Sequence, residues 1–195
     1  MKTIILGPPG TGKTTTLLNL VDEFLKDGIR PRQIGYFSFT KKAATEAADR
    51  ASDKFGLDKE NDLPFFRTLH SYAFNQLGMT KEKMMKIEDY KEFGQKCGIP
   101  IKTAKFSNED GTFNSDNEYL TIINTAAVKR MDLLEYYDSR KNILDIERST
   151  LFLLSEELQR FKKEKNLKDF NDLIEDFLLK ETLNKFEVLF IDEAQ

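Results

Sequence analysis

Near the amino terminus, a glycine-rich octapeptide constrains the fold of this chain more than any other feature. It reads GPPGTGKT from Gly7 to Thr14 and has the pattern GxxxxGK[ST]. Residues 2–6 before it predict a short buried strand, and the periodic apolar residues after Lys13 predict a helix. Strand, glycine loop and helix in this order are the context in which the pattern binds phosphate. The octapeptide therefore predicts an α/β fold built around a phosphate-binding loop.

Each part of the octapeptide has a chemical use in binding a nucleoside triphosphate. Glycines let backbone N–H groups turn toward phosphate oxygens, and the positive end of the next helix adds to the attraction. We predict that Lys13 reaches the β and γ phosphates and that the Thr14 hydroxyl binds Mg²⁺. The alternative is a glycine-rich turn without a chemical role. The predicted nucleotide-binding residues are Gly7, Pro8, Pro9, Gly10, Thr11, Gly12, Lys13, Thr14 and Thr15.

Strands and helices alternate in the segments on both sides of a long middle region. The predicted strands are residues 2–6, 34–39, 65–68 and 188–191. The predicted helices begin near Lys13, after Thr40 as the N-cap, at Leu69 and near Asp169. Alternation with short turns implies a parallel, doubly wound sheet.

The middle region, residues 79–165, differs in character from its flanks. It contains helical periodicity between Leu151 and Phe161 and a polar loop around Gly111, but no strand comparable to the others. We interpret it as a mainly helical insertion. The α/β domain would then comprise residues 1–78 and 166–195.

The composition excludes several classes of protein and of site. One cysteine and one histidine rule out an intrachain disulfide and a Cys/His metal cage, so a bound metal must have oxygen ligands. A net charge of −3 argues against a histone-like protein but is compatible with a locally basic groove. No apolar run approaches the ~20 residues of a membrane span, and no signal peptide is visible. We expect a cytoplasmic protein.

The last predicted strand runs into two acidic residues, Asp192 and Glu193. Phosphoryl transfer to water needs a carboxylate that holds the metal and a second group that positions or deprotonates the water. We predict that Asp192 holds Mg²⁺ through water and that Glu193 is the base. The alternative is that both residues only end a strand at the surface.

Five segments, in order along the chain, resemble motifs of the UvrD/Rep-like branch of the superfamily 1 helicases. Besides the octapeptide they are FTKKAA at 39–44 (motif Ia), TLHS at 68–71 (motif Ib), DFNDL at 169–173 and DEAQ at 192–195 (motif II). The resemblance implies a RecA-like P-loop ATPase domain, called 1A, that uses ATP and Mg²⁺. It also implies that residues 79–165 are the 1B insertion.

Members of this family move along single-stranded DNA and separate duplexes, so the resemblance also implies roles for individual residues. The implied catalytic residues are Lys13, Asp192, Glu193 and Gln195, the last as a sensor of the γ-phosphate. The implied Mg²⁺ residues are Thr14 and Asp192. The residues implied to lie along single-stranded DNA, or at a junction of single and double strand, are Phe39, Thr40, Lys42, Thr68 and His70.

The residues around motifs Ia and Ib also combine positive charge with aromatic rings, as single-strand grooves do. They are Lys41, Lys42, Phe65, Phe66, Arg67, His70 and Tyr72. An equally good interpretation is that the rings are core and that the lysines are a solvated helix start. Asp169 likewise suits an N-cap, with Asp172 in the first helical turn.

The chain also departs from the family pattern. Lys41 stands where the family usually has asparagine, and the sequence ends at Gln195. We therefore expect a truncated protein without motifs III to VI or the second RecA-like domain and its arginine fingers. Such a fragment would bind nucleotide far better than it hydrolyses it. The rival hypotheses are a P-loop nucleotide or small-molecule kinase and a nucleotide-dependent interaction module.

Overall fold

In the computed structural model, residues 3–8, 10–107, 113–142, 145–180 and 185–192 are described. They divide into two compact units. The first unit holds residues 3–8, 10–76, 180 and 185–192, and the second holds residues 77–107, 113–142 and 145–179.

The first unit contains the helices α1 (Lys13–Lys26), α2 (Lys41–Phe55) and α3 (Leu69–Gln76), with a short 3₁₀ helix at Pro31–Gln33. Its strands are β1 (Ile34–Ser38), β2 (Phe66–Thr68) and β5 (Val188–Asp192). The second unit contains the strands β3 (Ala104–Phe106) and β4 (Phe113–Ser115) and a 3₁₀ helix at Lys81–Lys83. Its helices are α4 (Ile87–Lys96), α5 (Glu118–Val128), α6 (Leu133–Asp138), α7 (Arg148–Lys165) and α8 (Phe170–Leu178).

The sheet of the first unit is parallel and has the strand order β2-β1-β5. Ser38, the last residue of β1, lies opposite both Thr68 of β2 and Asp192 of β5. The carboxyl ends of all three strands therefore meet at one edge. The predicted parallel α/β fold is confirmed, and this edge is where ligands bind in such sheets.

One face of this sheet forms the main core of the first unit. Tyr36 is fully buried between Phe66 and Phe190, and helices α1 and α2 cover them with Val21 and a face of small alanines. Burying each large apolar side chain stabilises the fold by roughly 1.5–3 kcal/mol. The apolar residues of α1 and α2 therefore recur at the spacing of one helix face, and this periodicity predicted both helices. The opposite face carries a second group of rings, from Phe37, Phe65, Tyr72 and Phe186.

The strand predicted at residues 2–6 is wrong for the part that the structure describes. Residues 3–6 are irregular, and the side chains of Ile4 and Leu6 are 69% and 89% exposed. A strand requires a neighbouring strand that pairs with its N–H and C=O groups, and no described residue forms a ladder with this segment. Apolar composition alone therefore overpredicted this strand.

The second unit is mainly helical, as predicted for the middle of the chain, but it also contains a two-stranded antiparallel ladder of β3 and β4. The sequence predicted no strand there comparable to those of the α/β part, and the two strands of this ladder are short, at three residues each. Phe106 and Phe113 lie directly opposite each other in it. Phe113 stacks on Tyr90 with ring centroids 3.6 Å apart. Aromatic packing therefore stabilises two strands in a segment that has the composition of a polar loop. The predicted centre of that loop, Gly111, lies outside the described residues.

Helix α8 belongs to the second unit, whereas the sequence pattern assigned residues 166–179 to the α/β domain. Within this unit, a buried ionic contact joins α7 to the start of α8. Lys162, only 4% exposed, donates to Asp169 Oδ2 at 2.9 Å and to Asp172 Oδ1 at 2.8 Å. The alternative interpretation of Asp169 as an N-cap is confirmed, since its side chain accepts from the N–H groups of Asn171 and Asp172. The assignment of the two units to 1A-like and 1B-like parts stays a prediction.

None of the helices in the described part of the chain has both the length and the apolar character of a membrane span.

Candidate functional site

The glycine-rich loop closes on itself at the amino end of α1. The Lys13 ammonium donates to the carbonyl oxygens of Gly7 at 2.9 Å and Pro8 at 3.1 Å. The Thr11 hydroxyl also donates to Pro8 O, at 2.8 Å. Gly12 has a φ of +81°, in the left-handed region that L-residues rarely adopt. The loop thus holds the Lys13 amine over its own backbone; Pro9 lies outside the described residues.

The amino end of α1 has the properties of an anion-binding site. A helix begins with about four N–H groups that have no acceptor within the helix. Here the N-cap is Gly12, which has no side chain to accept from them, and the first turn contains no acidic residue. The N–H groups of this turn, together with the helix dipole, are therefore available to a phosphate. Thr15 lies exposed in the same turn.

The loop meets β5 through one hydrogen bond between distant parts of the chain. Thr14 Oγ1 donates to Asp192 Oδ2 at 2.9 Å, across 178 residues of sequence. The same carboxylate oxygen accepts from the Tyr36 hydroxyl, also at 2.9 Å. Asp192 is only 4% exposed, so these two donors offset much of the penalty of burying its charge. Burial and the negative charge of Asp192 raise the pKa of Tyr36 well above its usual range, so its hydroxyl remains a donor.

The chemistry of these donors fits a hard cation. Because the Thr14 hydroxyl gives its proton to Asp192, its oxygen lone pairs remain able to bind a metal. Ser38 Oγ, in the residue opposite Asp192, is buried and has no hydrogen-bond partner among the described residues. The described residues contain no group of three or more His, Cys, Asp or Glu side chains able to hold a metal. An ion here would therefore share hydroxyl, carboxylate, phosphate and water oxygens, as Mg²⁺ does in nucleotide sites.

The five residues predicted along single-stranded DNA lie at or just beyond the carboxyl ends of β1 and β2. Phe39 follows β1 and is 53% exposed, and Lys42 is exposed in the first turn of α2. Thr40 caps α2 by accepting from Ala43 N at 3.1 Å. Thr68 accepts from Ser71 N at 3.2 Å, and His70 is half-buried at the start of α3. The structure thus brings all five to the sheet edge that ends in Asp192, and it gives Thr40 and Thr68 local structural bonds as well.

The aromatic residues near motif Ib are not stacking surfaces. Phe66 and Tyr72 are buried, at 7% and 3% exposure, and Phe65 packs edge-on against Tyr72. The interpretation of these rings as core is correct, because each sheet face needs large apolar side chains to bury. Burial also lowers the pKa of the half-buried Arg67. Of the exposed large aromatic side chains in the described chain, Phe39 is the one at this edge.

Three of the predicted catalytic and binding positions cannot be placed. Pro9, Glu193 and Gln195 lie outside the described residues. The proposed base and the proposed γ-phosphate sensor therefore stay predictions.

Sequence reasoning missed Tyr36 and Ser38 as parts of the site. It assigned residues 34–39 to a strand without asking which face each side chain occupies. Ile34, Tyr36 and Ser38 alternate onto the face that carries Phe190 and Asp192. Strand alternation could have placed Tyr36 and Ser38 on one face of β1, but it could not have indicated that this face meets Asp192.

The family model described as UvrD/REP helicase N-terminal domain matches residues 1–195. No curated protein and no solved structure gives a significant match.

Proposed function

This chain belongs to the UvrD/REP helicase family, and on that premise we propose that it forms the ATP-binding and DNA-binding part of an ATP-dependent DNA helicase or translocase. The observation that carries the proposal is the hydrogen bond between Thr14, at the phosphate-binding loop, and Asp192, at the end of β5. It supports the proposal because it brings together two segments, 178 residues apart, that we predict to form one ATPase site.

At the ATP site, each side chain has a separate task. Lys13 would transfer its hydrogen bonds from the loop carbonyls to oxygens of the β and γ phosphates. Thr14 and Asp192 would hold Mg²⁺, which when bound supplies positive charge that neutralises the phosphates. Glu193 is the proposed base for the attacking water, and Gln195 is the proposed sensor of the γ-phosphate.

Helix α2, which begins at the same sheet edge, supports a DNA contact there. Lys41 and Lys42 are exposed in its first turn, where no acidic residue is present. Cations at the positive end of a helix are unfavourable for the helix itself, so these lysines do not serve its stability. Together with the N–H groups of the first turn, the two lysines could bind the phosphates of a DNA backbone. The exposed ring of Phe39 could stack on a base.

We further propose that hydrolysis coupled to strand separation needs a second RecA-like domain. Arginine fingers from such a domain contribute about 10³ to 10⁵ in rate. The first unit would then bind ATP and single-stranded DNA, or a junction of single and double strand, while turnover depends on the second domain.

The nucleotide proposal is tested with the Lys13→Ala variant. We expect isothermal titration calorimetry to detect no ATP binding by this variant in Mg²⁺, because the loop loses the cation that faces the phosphates. Lys26→Ala is the matched control, since Lys26 is an exposed lysine at the other end of the same helix, paired with Asp22. ATP affinity equal to that of the parent protein in Lys13→Ala would contradict the proposal.

The DNA proposal is tested with a labelled single-stranded oligonucleotide at several salt concentrations. The parent protein should bind more weakly as salt rises, and Lys42→Ala should reduce the slope of log K against log salt by about 0.7. His70→Ala should weaken binding with little change in slope, while Lys26→Ala should match the parent. Binding that ignores both salt and these two substitutions at the sheet edge would refute the DNA contact.

A further inference from the structure

Tyr36 lies in the middle of the sheet, yet its hydroxyl reaches the candidate metal site. Its ring is fully buried and stacks on Phe66, with centroids 5.1 Å apart and an interplanar angle of 13°. Phe190 packs on it from the next strand, with ring centroids 6.2 Å apart. The hydroxyl donates to Asp192 Oδ2 at 2.9 Å. The core thus fixes the position of a donor that ends on the metal-site carboxylate.

We propose that strand β1 supplies the outer shell of the Mg²⁺ site. In this arrangement Tyr36 is a positioning residue that fixes the carboxylate of Asp192, and Ser38 holds a water molecule of the metal's hydration shell. The inference rests on the proposed function, because it assigns new residues to the same ATP site.

The argument for Tyr36 begins with the burial of Asp192. A carboxylate that is 4% exposed cannot rely on bulk water to fix its orientation. Its Oδ2 atom has two donors, Thr14 and Tyr36, and only Tyr36 is held on a rigid ring between two other rings. In the proposed site Thr14 also binds the metal. Tyr36 is therefore the donor that stays on Asp192 Oδ2 whether or not the metal is bound. Outer-shell hydrogen bonds of this kind orient the ligands of a metal and tune its affinity.

The argument for Ser38 comes from its missing partner. Its side chain is 3% exposed, and Ser38 Oγ has no hydrogen-bond partner among the described residues. Buried hydroxyls are nearly always paired with protein or with ordered water. Ser38 lies two residues after Tyr36 on the same face of β1, and its Cα is the partner of the Asp192 Cα. A water held between Ser38 and the metal would satisfy this hydroxyl.

The proposal separates metal binding from nucleotide binding, and the experiment uses that difference. Calorimetry measures the affinity of the whole chain for ATPγS in Mg²⁺ and in EDTA, and the ratio of the two affinities reports the contribution of the metal. We expect Tyr36→Phe, and separately Ser38→Ala, to lower this ratio about tenfold. The affinity in EDTA should stay unchanged, because the loop and Lys13 are intact.

A control tests whether loss of a tyrosine hydrogen bond elsewhere in the chain has this effect. In the second unit, the half-buried Tyr137 donates to Ile146 O at 2.9 Å, so Tyr137→Phe removes a tyrosine hydrogen bond far from the ATP site in sequence. This variant should keep the parent's ratio. Tyr36→Phe keeps the ring and its stacking, so its fold should be retained, and circular dichroism with urea denaturation checks this for each variant.

The outcomes are distinguishable. A ratio equal to the parent's in either Tyr36→Phe or Ser38→Ala overturns the proposal for the pair, as does an equal fall in Mg²⁺ and in EDTA. If the parent protein binds ATPγS no better in Mg²⁺ than in EDTA, the proposed Mg²⁺ roles of Thr14 and Asp192 fail and this inference fails with them. If the parent protein binds ATPγS in neither condition, the proposed ATP site itself fails.

Discussion

Asp192 combines two properties that rarely coincide in a side chain, negative charge and nearly complete burial. Its carboxylate accepts from Thr14 and from Tyr36, each at 2.9 Å. Charged groups are buried in proteins when partners offset the loss of hydration. The two donors offset part of the cost of burying this carboxylate, which lies at the end of a parallel strand and contacts the first turn of α1.

Gly12 provides the sharpest test of the loop's backbone. Its φ of +81° is unfavourable for an alanine, although an added Cβ would meet no atom within 4 Å. Left-handed backbone costs an L-residue roughly 1–2 kcal/mol, so we expect Gly12→Ala to weaken ATP binding about tenfold as the loop leaves its conformation. Calorimetric titration with ATP and Mg²⁺ measures the change.

Gly28 is the matched control for this substitution. It follows α1 with a φ of +92° and is equally open around a built Cβ. Gly28→Ala should therefore lower the unfolding free energy by a similar amount while leaving ATP affinity unchanged. An equal loss of ATP affinity in the two variants would show that the loop's backbone has no special role.

Thr40, the N-cap residue of helix α2, has two proposed roles. Thr40 accepts from Ala43 N, which makes it the N-cap, and it is also one of the residues proposed to face DNA. Replacing it by alanine would remove both roles at once and could not separate them. A substitution that keeps the cap is needed.

Thr40→Asp separates the two roles, because aspartate is as good an N-cap as threonine but repels phosphate. We expect the unfolding free energy to stay close to the parent's, whereas Thr40→Ala should lose about 1 kcal/mol. Single-stranded DNA affinity at low salt should fall in Thr40→Asp. Unchanged DNA affinity in Thr40→Asp would remove this residue from the DNA-contacting edge.

The contact between α7 and α8 depends on one buried cation. Lys162 donates to Asp169 and to Asp172, and the three side chains are all largely shielded from solvent. Removing one partner of a buried ionic group leaves the others uncompensated. We therefore expect Lys162→Met to lower the unfolding free energy of the second unit by about 3–5 kcal/mol, measured by urea denaturation. Lys163→Met, on the neighbouring exposed lysine, should have little effect.

The same group predicts a dependence of stability on alkaline pH. Burial alone would lower the pKa of Lys162, but the charges of Asp169 and Asp172 outweigh it and raise the pKa above its ordinary value. The stabilisation is complete below the ordinary lysine pKa of about 10.4 and is lost as pH rises through the higher folded value. The difference in unfolding free energy between the parent and Lys162→Met should therefore shrink above about pH 10.4. A difference that stays constant through this range would contradict the ionic contact.

The two units have separate cores, so hydrogen exchange should respond differently to a ligand of the first unit and to a substitution in the second. A nucleotide that binds the folded first unit at about 100 times its Kd stabilises it by roughly 2.7 kcal/mol. Hydrogen exchange at β1 amides should then slow when ATPγS and Mg²⁺ are added. Lys162→Met should speed exchange in α7 and α8 without abolishing the response at β1. Faster exchange in both cores with loss of the ATPγS response would contradict this independence.

The features that depend on neighbours in the chain were predictable from the sequence. The start of α1 near Lys13, the cap at Thr40 and the strands predicted at 34–39, 65–68 and 188–191 all follow from local patterns, and the structure has these strands at 34–38, 66–68 and 188–192. The residue types of the loop and its position before a helix likewise indicate phosphate binding. These features are local because capping, helical periodicity and strand alternation involve residues a few positions apart.

Other features were decided by the tertiary structure. Residues 3–6 have the composition of a strand but no described partner strand, and α8 lies in the second unit, where Lys162 of α7 pairs with its N-cap residue Asp169. Tyr36 became part of the candidate site only when the strand register placed its hydroxyl beside Asp192, 156 residues away. In each case the deciding contact joins residues from separate elements, and one-dimensional patterns contain no information on which elements meet. The sequence by itself thus determined the kind of site and the fold class, whereas the packing of the sheet selected the side chains that surround Asp192.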